Sequence, residues 1–332
     1  MKLRSKLLSL AELATVAALA CTSTARAQPM TATGEAAGGT PYLLVHKANP
    51  VSGVEWEMHL VLTKDEIYVP IGLRRPAGNG PFPIILLGSG QGRDGVTKIE
   101  TSMTRYEGVM TRMLERGYAA AFVSYRNEVP ELYNQIDASG LLVDDVSGTA
   151  RRLQAVPTLD SDDYISIVEH VRSLPYVGAV GGIGSSHSGE IILKAAAVMD
   201  LAAAVPSEAA AIEFLGIDAA KAPRDPSGAE LQLQDKEVVR ALADKPLAMR
   251  RIEQIDTPLL ILGRDDDHLQ GIFALAYEWL SEAGADVTWA TFDHPEHGYS
   301  LMERTAPGAF EADAVEQEVF DLYMDFFDTH LR

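Results

Sequence analysis

A ten-residue stretch that reads GGIGSSHSGE contains the residues with the clearest chemical potential in this sequence. Gly184, Ser186 and Ser188 take the first, third and fifth places of the pattern small-x-Ser-x-small. This pattern is typical of a sharp turn from a strand into a helix that exposes a serine hydroxyl, because only small neighbours let the two elements approach closely. Ser186 is therefore the candidate nucleophile. Ser188 is disfavoured because Glu190 would then occupy the crowded fifth place, and Ser185 is placed still less well.

Two other glycine-rich sites fail on the same residues. A phosphate-binding loop needs Lys and then Ser or Thr after its last glycine, but Gly189 is followed by Glu190 and Ile191. A dinucleotide-binding turn needs a third glycine at the position that His187 occupies. A tight turn without chemistry remains the alternative, so support has to come from other parts of the chain.

A reactive serine needs a base, and the base needs a carboxylate that orients it. In sheets that carry such a turn, the acid and then the histidine follow the serine, each after a later strand. The strand in TPLLILGRDDDH precedes Asp266, the favoured acid, with Asp267 as the next candidate because a shift of one residue reverses a side chain's direction. After the strand in VTWATFDHPEHGY, His297 is favoured over His294, because Gly298 gives its loop freedom to aim the ring.

The attack would create an oxyanion that needs two fixed N–H donors. The main chain of His187 is one candidate because it follows the nucleophile at the start of a helix. The second donor is expected in GSGQGRDG, at Gly90 or Gln91. The side chain of His187 either tunes the site or caps the following helix.

Metal chemistry has weak support. His294 and His297 have the spacing of a His-x-x-His pair, but no third ligand is evident, and Cys21 is the only cysteine. A metal site at these histidines is therefore disfavoured.

Hydrophobic periodicity predicts an α/β protein. An antiparallel hairpin is expected over 54–73, followed by buried strands that alternate with helices, which indicates a mostly parallel central sheet covered on both faces. The segment between Pro206 and Asp256 is longer than a simple crossover needs. It is either an elaborated crossover or a small lid-like insertion, which we assign to about 207–256.

The first 27 residues read as an export signal. Basic residues precede an apolar run, and Ala25-Arg26-Ala27 forms a small-x-small cleavage site. Cleavage before Cys21 with lipid attachment is a minor alternative. We assign 28–52 to an N-terminal extension and 53–332 to the folded domain. A periplasmic or secreted protein is expected, without stable membrane insertion after cleavage.

The formal net charge of −19 makes nucleic acids and anionic lipids unfavourable partners, because their phosphates would be repelled. The expected partner is a small-molecule acyl substrate. The sequence does not determine an oligomeric state.

The stretches LRRPAGNGPFPIILLGSG, VSYR, GIGSSHSGE, LLILGRDDDH and HPEHGY resemble the α/β-hydrolase superfamily, in its branch of dienelactone-hydrolase-like and prolyl-oligopeptidase-like enzymes. The resemblance runs from about Tyr68 to the C-terminus. It implies an α/β-hydrolase fold and a triad of Ser186, Asp266 and His297 that cleaves an acyl bond through an acyl-enzyme, without a metal or an organic cofactor. One departure is that Gly88-Ser89 replaces the family's His-Gly, which affects the second oxyanion donor.

The resulting hypothesis is an exported serine hydrolase that cleaves a carboxylic ester. The alternatives are an aminopeptidase or acyl-peptide hydrolase, a thioesterase or acyltransferase, and a binding protein that keeps the fold without catalysis. The sequence has no room for the large propeller of the related peptidases, and it lacks the sandwich domain of the related acyltransferases.

Overall fold

The computed structural model of the chain describes residues 43–90, 95–126, 157–228, 230–301 and 311–332. The strands in chain order are β1 (Leu43–Ala48), β2 (Glu55–Leu62), β3 (Tyr68–Arg74), β4 (Phe82–Gly88), β5 (Ala119–Val123), β6 (Val177–Ser185), β7 (Ala203–Ser207), β8 (Leu259–Arg264) and β9 (Val287–Phe292). The helices are α1 (Gly95–Arg105), α2 (Glu107–Glu115), α3 (Pro157–Ser173), α4 (His187–Ala196), α5 (Lys236–Leu242), α6 (Lys245–Ile252), α7 (Gln270–Ala283) and α8 (Ala314–His330).

The nine strands of the described ranges form one sheet in the order β1-β2-β3-β5-β4-β6-β7-β8-β9. The pairs β1–β2, β2–β3 and β3–β5 are antiparallel. The pairs β5–β4, β4–β6, β6–β7, β7–β8 and β8–β9 are parallel. The predicted mostly parallel α/β sheet behind a leading hairpin is therefore confirmed. The parallel register places the carboxyl ends of six strands, β4 to β9, at one edge of the sheet.

Helices cover both faces of this sheet, and β4 shows how the sequence divides between them. Ile84 and Leu86 point to the side of α3, α4 and α7. Ile85 and Leu87 point to the opposite side, where α1, α2 and α8 pack. A strand with apolar residues on both faces is typical of a parallel sheet enclosed between two helical layers.

The insertion assigned to 207–256 contains two helices where the sequence predicts one over 237–251. The helix α5 ends at Leu242, and α6 starts after Asp244, whose carboxylate accepts the N–H of Leu247. Pro246 is compatible only with the first turn of a helix, so the chain must begin a new helix there. Both helices pack against α7. A lid role for this insertion stays a prediction.

The stretch MTRYEGVMTRMLERG has apolar residues on one helical face and predicts a single helix over 103–117. The structure has two helices there, α1 and α2, divided at Tyr106. The strand β1 lies within the range 28–52 that we assigned to the N-terminal extension. It forms the edge strand of the sheet, beside β2. The assigned export signal, including Cys21, lies outside the described residues. Within the described ranges, every helix is too short or too polar to cross a lipid bilayer.

Candidate active site

Ser186 lies at the sharp turn that joins β6 to α4. Its backbone has φ 54° and ψ −115°, a conformation that non-glycine residues rarely adopt. Its N–H donates to the carbonyl of Ser207 at 3.0 Å, and its own carbonyl accepts the N–H of Ala210 at 3.0 Å. These bonds hold the strained turn, and the side chain of Ser186 is only half-buried. Ser185, in contrast, is 2% exposed.

Steric crowding explains the small residues around this turn. A Cβ atom on Gly184 would lie 2.7 Å from the carbonyl carbon of Ser188, and one on Gly189 would lie 2.9 Å from the Cβ of Ala209. Ser188 is accommodated because it packs over Gly88, where a Cβ atom would approach the Cβ of Ser188 to 2.7 Å. The serine in the motif's fifth place therefore depends on a glycine at the end of β4.

The carboxylate that meets His297 belongs to Asp267, whereas the sequence favours Asp266. The Nδ1 of His297 lies 2.9 Å from Oδ2 of Asp267. Asp266 is exposed and has φ 59°, so the chain turns at this residue and directs the next side chain inward. Asp267 is 0% exposed and also accepts the N–H of Leu269 and the Nε–H of Arg264, each at 2.8 Å. The acid of the site is thus shifted by one residue.

The hydrogen bonds keep Asp267 ionised. Burial alone would raise its pKa, but the bonds from His297, Leu269 and Arg264 outweigh it and lower the pKa to about 2. Burial lowers the pKa of His297, but the bond to Asp267 and the charge of Glu208 raise it above its usual value. An ionised carboxylate beside Nδ1 favours the tautomer with a proton on Nδ1, which leaves Nε2 able to accept one.

Ser186 and His297 lie at the same edge of the sheet without a direct bond. A Cβ atom on Gly298, next to His297, would lie 3.4 Å from Oγ of Ser185, next to Ser186. Within the described ranges no hydrogen bond joins Ser186 Oγ to the imidazole of His297. Catalytic hydrogen bonds are often long before substrate binds and then tighten. Proton transfer would therefore require the imidazole to move closer to the hydroxyl.

Two predicted oxyanion donors lie beside Ser186. His187 is the first residue of α4, and the N–H groups of a first helical turn point out of the helix start. Gly90 follows β4, and a Cβ atom there would lie 3.8 Å from the Cβ of Ser186. Gln91 lies outside the described residues. Gly90 therefore lies close to Ser186, as the position of a second oxyanion donor requires.

Polar side chains hold this loop in place. Ser188 donates its hydroxyl to the carbonyl of Ser89, and Tyr125 donates to Oγ of Ser188 at 3.0 Å. The ammonium of Lys98 donates to the carbonyl of Gly90 at 3.3 Å. These contacts hold the backbone of Ser89 and Gly90 in place after β4.

The ring of His187 faces away from the sheet edge and toward α3. Its Nε2 lies 2.8 Å from Oδ2 of the buried Asp160. The ring also meets that of Tyr125 edge to face, with 5.9 Å between centroids. The side chain therefore ties the start of α4 to α3.

His294 does not join His297 in a metal site. It is 6% exposed, and its Nε2 lies 3.2 Å from Oδ2 of Asp313. Over the part of the chain that the structure describes, the one cluster with ligand atoms close enough for a metal is Asp267, His268 and His297, within 4.8 Å of one another. Because Asp267 already accepts hydrogen bonds at both oxygens, this cluster is explained without an ion.

Solved structures share this architecture. Acylaminoacyl peptidase from Pyrococcus horikoshii superimposes with a TM-score of 0.53 and 16% identity, over 88% of this chain and 48% of that one. Esterase 2 from Thermogutta terrifontis gives a TM-score of 0.51 and 15% identity, over 85% of this chain and 96% of that one. The chain has the α/β-hydrolase fold. The resemblance predicted from the sequence is confirmed at this level.

Dipeptidyl peptidase 4 from Porphyromonas gingivalis has the same fold, with a TM-score of 0.51 and 15% identity over 90% of this chain and 41% of that one. The chain thus spans about half the length of the acylaminoacyl peptidase and somewhat less than half the length of the dipeptidyl peptidase. Neither the family models nor the curated proteins give a match to the sequence.

Two residues of this candidate site were not predicted from the sequence. Glu208 follows β7 directly, is 0% exposed, and accepts the N–H of Gly298 at 2.8 Å. Arg264 ends β8 and bonds to both Asp267 and the carbonyl of His294. The available signal was a charged residue directly after each buried strand, at the edge where the fold gathers its polar groups. Glu208 lies within the range 207–256 that was assigned to the insertion.

Proposed function

We propose that this chain is a serine hydrolase that cleaves a carboxylic ester of a small-molecule substrate through an acyl-enzyme on Ser186. The observation that carries the proposal is the 2.9 Å contact between Asp267 and His297, at the sheet edge where Ser186 has a strained backbone. A nucleophile, a base and an orienting carboxylate at one edge are the minimum for acyl transfer by a serine.

In the proposed reaction, Oγ of Ser186 attacks the substrate carbonyl carbon while its proton passes to Nε2 of His297. Asp267 holds the proton on Nδ1 and stabilises the imidazolium. The N–H of His187 and a donor in the Gly90 loop bind the oxyanion. His297 then protonates the leaving alcohol, and the acyl group remains on Ser186. Water, deprotonated by the same imidazole, releases the carboxylic acid and restores the serine.

The comparison with solved structures supports an ester before an amide. The chain corresponds to nearly all of the Thermogutta esterase but to only half of the acylaminoacyl peptidase. Peptide hydrolysis is the second candidate, because that peptidase superimposes with a TM-score of 0.53. The proposed mechanism needs no cofactor for either substrate.

Covalent labelling tests the nucleophile. A fluorophosphonate probe should modify Ser186, and Ser186→Ala should abolish labelling and reduce turnover by several orders of magnitude. Ser185→Ala is the matched control and should still be labelled. Labelling that persists in Ser186→Ala, or its absence in the wild-type protein, would refute the proposal.

A substrate panel tests the ester preference. Acyl esters, thioesters and aminoacyl arylamides should be compared at equal concentration with the purified protein. We expect kcat/KM for the best ester to exceed that for the best arylamide at least tenfold. The reverse order would favour the peptidase candidate.

We also propose that residues 1–27 direct export and are removed after Ala27. The basic start, the apolar run and the small-x-small site support this. N-terminal sequencing of the protein from the periplasmic or secreted fraction should begin at Gln28. An intact N-terminus in a cytoplasmic fraction would contradict the proposal, and a lipid-linked Cys21 would favour the lipoprotein alternative.

A further inference from the structure

The edge that carries Ser186 and His297 also carries a second buried acid, Glu208, that the proposed reaction does not use. Glu208 is 0% exposed and lies directly after β7. Its backbone has φ 45°, in the left-handed region that side chains other than glycine rarely occupy. Such a conformation persists only where the surrounding contacts hold it, and it is found preferentially at functional sites.

The two carboxyl oxygens of Glu208 have different surroundings. Oε2 accepts the N–H of Gly298 at 2.8 Å and lies 3.4 Å from the hydroxyl of Ser185, so it holds the loop that carries His297. Oε1 has no hydrogen-bond donor among the described residues. It lies 3.9 Å from Nδ1 of His297 and 3.9 Å from Nε of Arg264. One oxygen therefore anchors the loop and the other faces the imidazole.

The charges around His297 show what this second oxygen supplies. Asp267 already has a cationic partner, because Nε of Arg264 lies 2.8 Å from the same oxygen that meets His297. The charges of Asp267 and Arg264 largely compensate each other. When His297 takes a proton, the new positive charge lies beside a neutralised pair. Within the described ranges, Glu208 is the other acid with an oxygen within 4.0 Å of Nδ1.

We propose that Glu208 is a positioning residue that anchors the His297 loop and supplies the second negative charge that stabilises the imidazolium. This proposal rests on the proposed hydrolase function, because the imidazolium forms when His297 takes the proton of Ser186. Glu208 does not touch the substrate carbonyl. It acts through the orientation and the basicity of His297.

The ionisation of Glu208 is consistent with such a role. Burial raises the pKa of Glu208 to about 7. The charge of His297 and the hydrogen bond from the Gly298 N–H lower this pKa, but burial outweighs them. Asp267 raises this pKa further and Arg264 lowers it. Glu208 therefore changes from a carboxylate to a neutral acid as the pH falls through the neutral range. Its support for the imidazolium should be lost in the same range.

The variant Glu208→Gln separates the charge from the anchor. Its amide oxygen can still accept the N–H of Gly298, but the negative charge is gone. The pKa of His297 should be measured by NMR in the Ser186→Ala background, with and without this change. We expect Glu208→Gln to lower that pKa by about 1 pH unit, the shift typical of losing an opposite charge near an ionisable group.

The matched control is Glu190→Gln. Glu190 is also buried, and burial also raises its pKa to about 7, but its carboxylate accepts the N–H of Phe214 rather than facing His297. This change should leave the pKa of His297 where it is. In the otherwise wild-type protein, Glu208→Gln should reduce kcat about tenfold with KM unchanged. The acid limb of its rate profile should move to lower pH, which loss of a merely structural contact would not cause.

A His297 pKa that is unchanged in Glu208→Gln overturns the proposal, whether or not the protein hydrolyses esters. A lowered pKa in a protein without hydrolase activity supports the electrostatic contact and refutes only the proposed reaction, so the two failures are distinguishable.

Discussion

Replacing Asp267 with Asn should remove most of the turnover. Oδ2 of Asp267 accepts from both His297 and Arg264, while Oδ1 accepts the N–H of Leu269. An asparagine has one acceptor oxygen, so its NH₂ group must face at least one of these donors. If the NH₂ group faces His297, the imidazole must present an unprotonated Nδ1, and Nε2 then carries the proton and cannot act as a base.

The magnitude follows from the tautomer and from the neighbouring charge. Loss of this tautomer control costs about ten-thousandfold in kcat in a well-studied serine protease, or about 5.5 kcal/mol. Here Oε1 of Glu208 lies 3.9 Å from Nδ1 of His297 and favours the correct tautomer in part. We therefore expect a loss of about a thousandfold to ten-thousandfold in kcat, with KM unchanged. The donor left without an acceptor should also lower the free energy of unfolding by about 1–3 kcal/mol.

Asp266→Asn is the matched control. Asp266 is exposed and has φ 59°, a conformation that asparagine tolerates, so the change should alter neither the backbone nor the rate beyond about twofold. Steady-state ester hydrolysis gives kcat and KM, and urea unfolding gives the stability of both variants. If Asp267→Asn keeps more than about a tenth of the wild-type kcat, or if Asp266→Asn is the inactive variant, the assignment of the acid is wrong.

Three further measurements test the loop, the base and the core. Ser188→Ala removes the hydroxyl that donates to the Ser89 carbonyl, so kcat should fall about tenfold with KM unchanged; an unaltered kcat would argue against a fixed oxyanion loop. Because His297 must be neutral to accept a proton and its pKa is raised, the rate should fall with pH below that pKa, about tenfold per pH unit; a flat rate from about pH 5 to 8 would contradict the assignment. Burial, aided by His59, lowers the pKa of His170 from 6.5 to about 3, so between these values the unfolded chain binds a proton that the native protein excludes. The contribution of neutral His170 to the free energy of unfolding should therefore be fully present above about pH 6.5 and decrease by up to about 1.4 kcal/mol per pH unit below it. Urea unfolding of His170→Gln should show a smaller decrease of this free energy than the wild type.

The strands and the reactive turn could be predicted from the sequence because their signals are local. The sequence predicts a strand over 287–292, which are the bounds of β9. It predicts the hairpin strands over 54–62 and 67–73, whereas β2 starts one residue later and β3 is shifted by one residue at both ends. The turn at Ser186 was recognisable because strand and helix approach so closely there that Gly184 and Gly189 have no space for a side chain. Local steric limits and hydrophobic periodicity can both be inferred from the order of residue types alone.

The acid and its surroundings could not be predicted, because they depend on backbone angles and on contacts between distant segments. The choice between Asp266 and Asp267 depends on one positive φ, which three successive aspartates do not reveal. The position of Glu208 beside His297 depends on the pairing of β7 with β8 and of β8 with β9, strands that lie far apart in the chain. The strand β1 was missed because it gains its stability only by pairing with the edge of β2.

Backbone strain in this protein is concentrated where the site lies. Of the described non-glycine residues with positive φ, Ser186, Glu208 and Asp266 each follow the end of one of three neighbouring strands by one or two residues. Each such residue costs of order 1–3 kcal/mol, so the surrounding bonds must offset it. The sharp turns have one geometric result in common. They lift a hydroxyl out of the sheet after β6, aim a carboxyl at Nδ1 of His297 after β7, and turn Asp267 inward after β8. Relaxing any one of them would move a group away from the imidazole, which is why we expect this strain to be retained although it opposes folding.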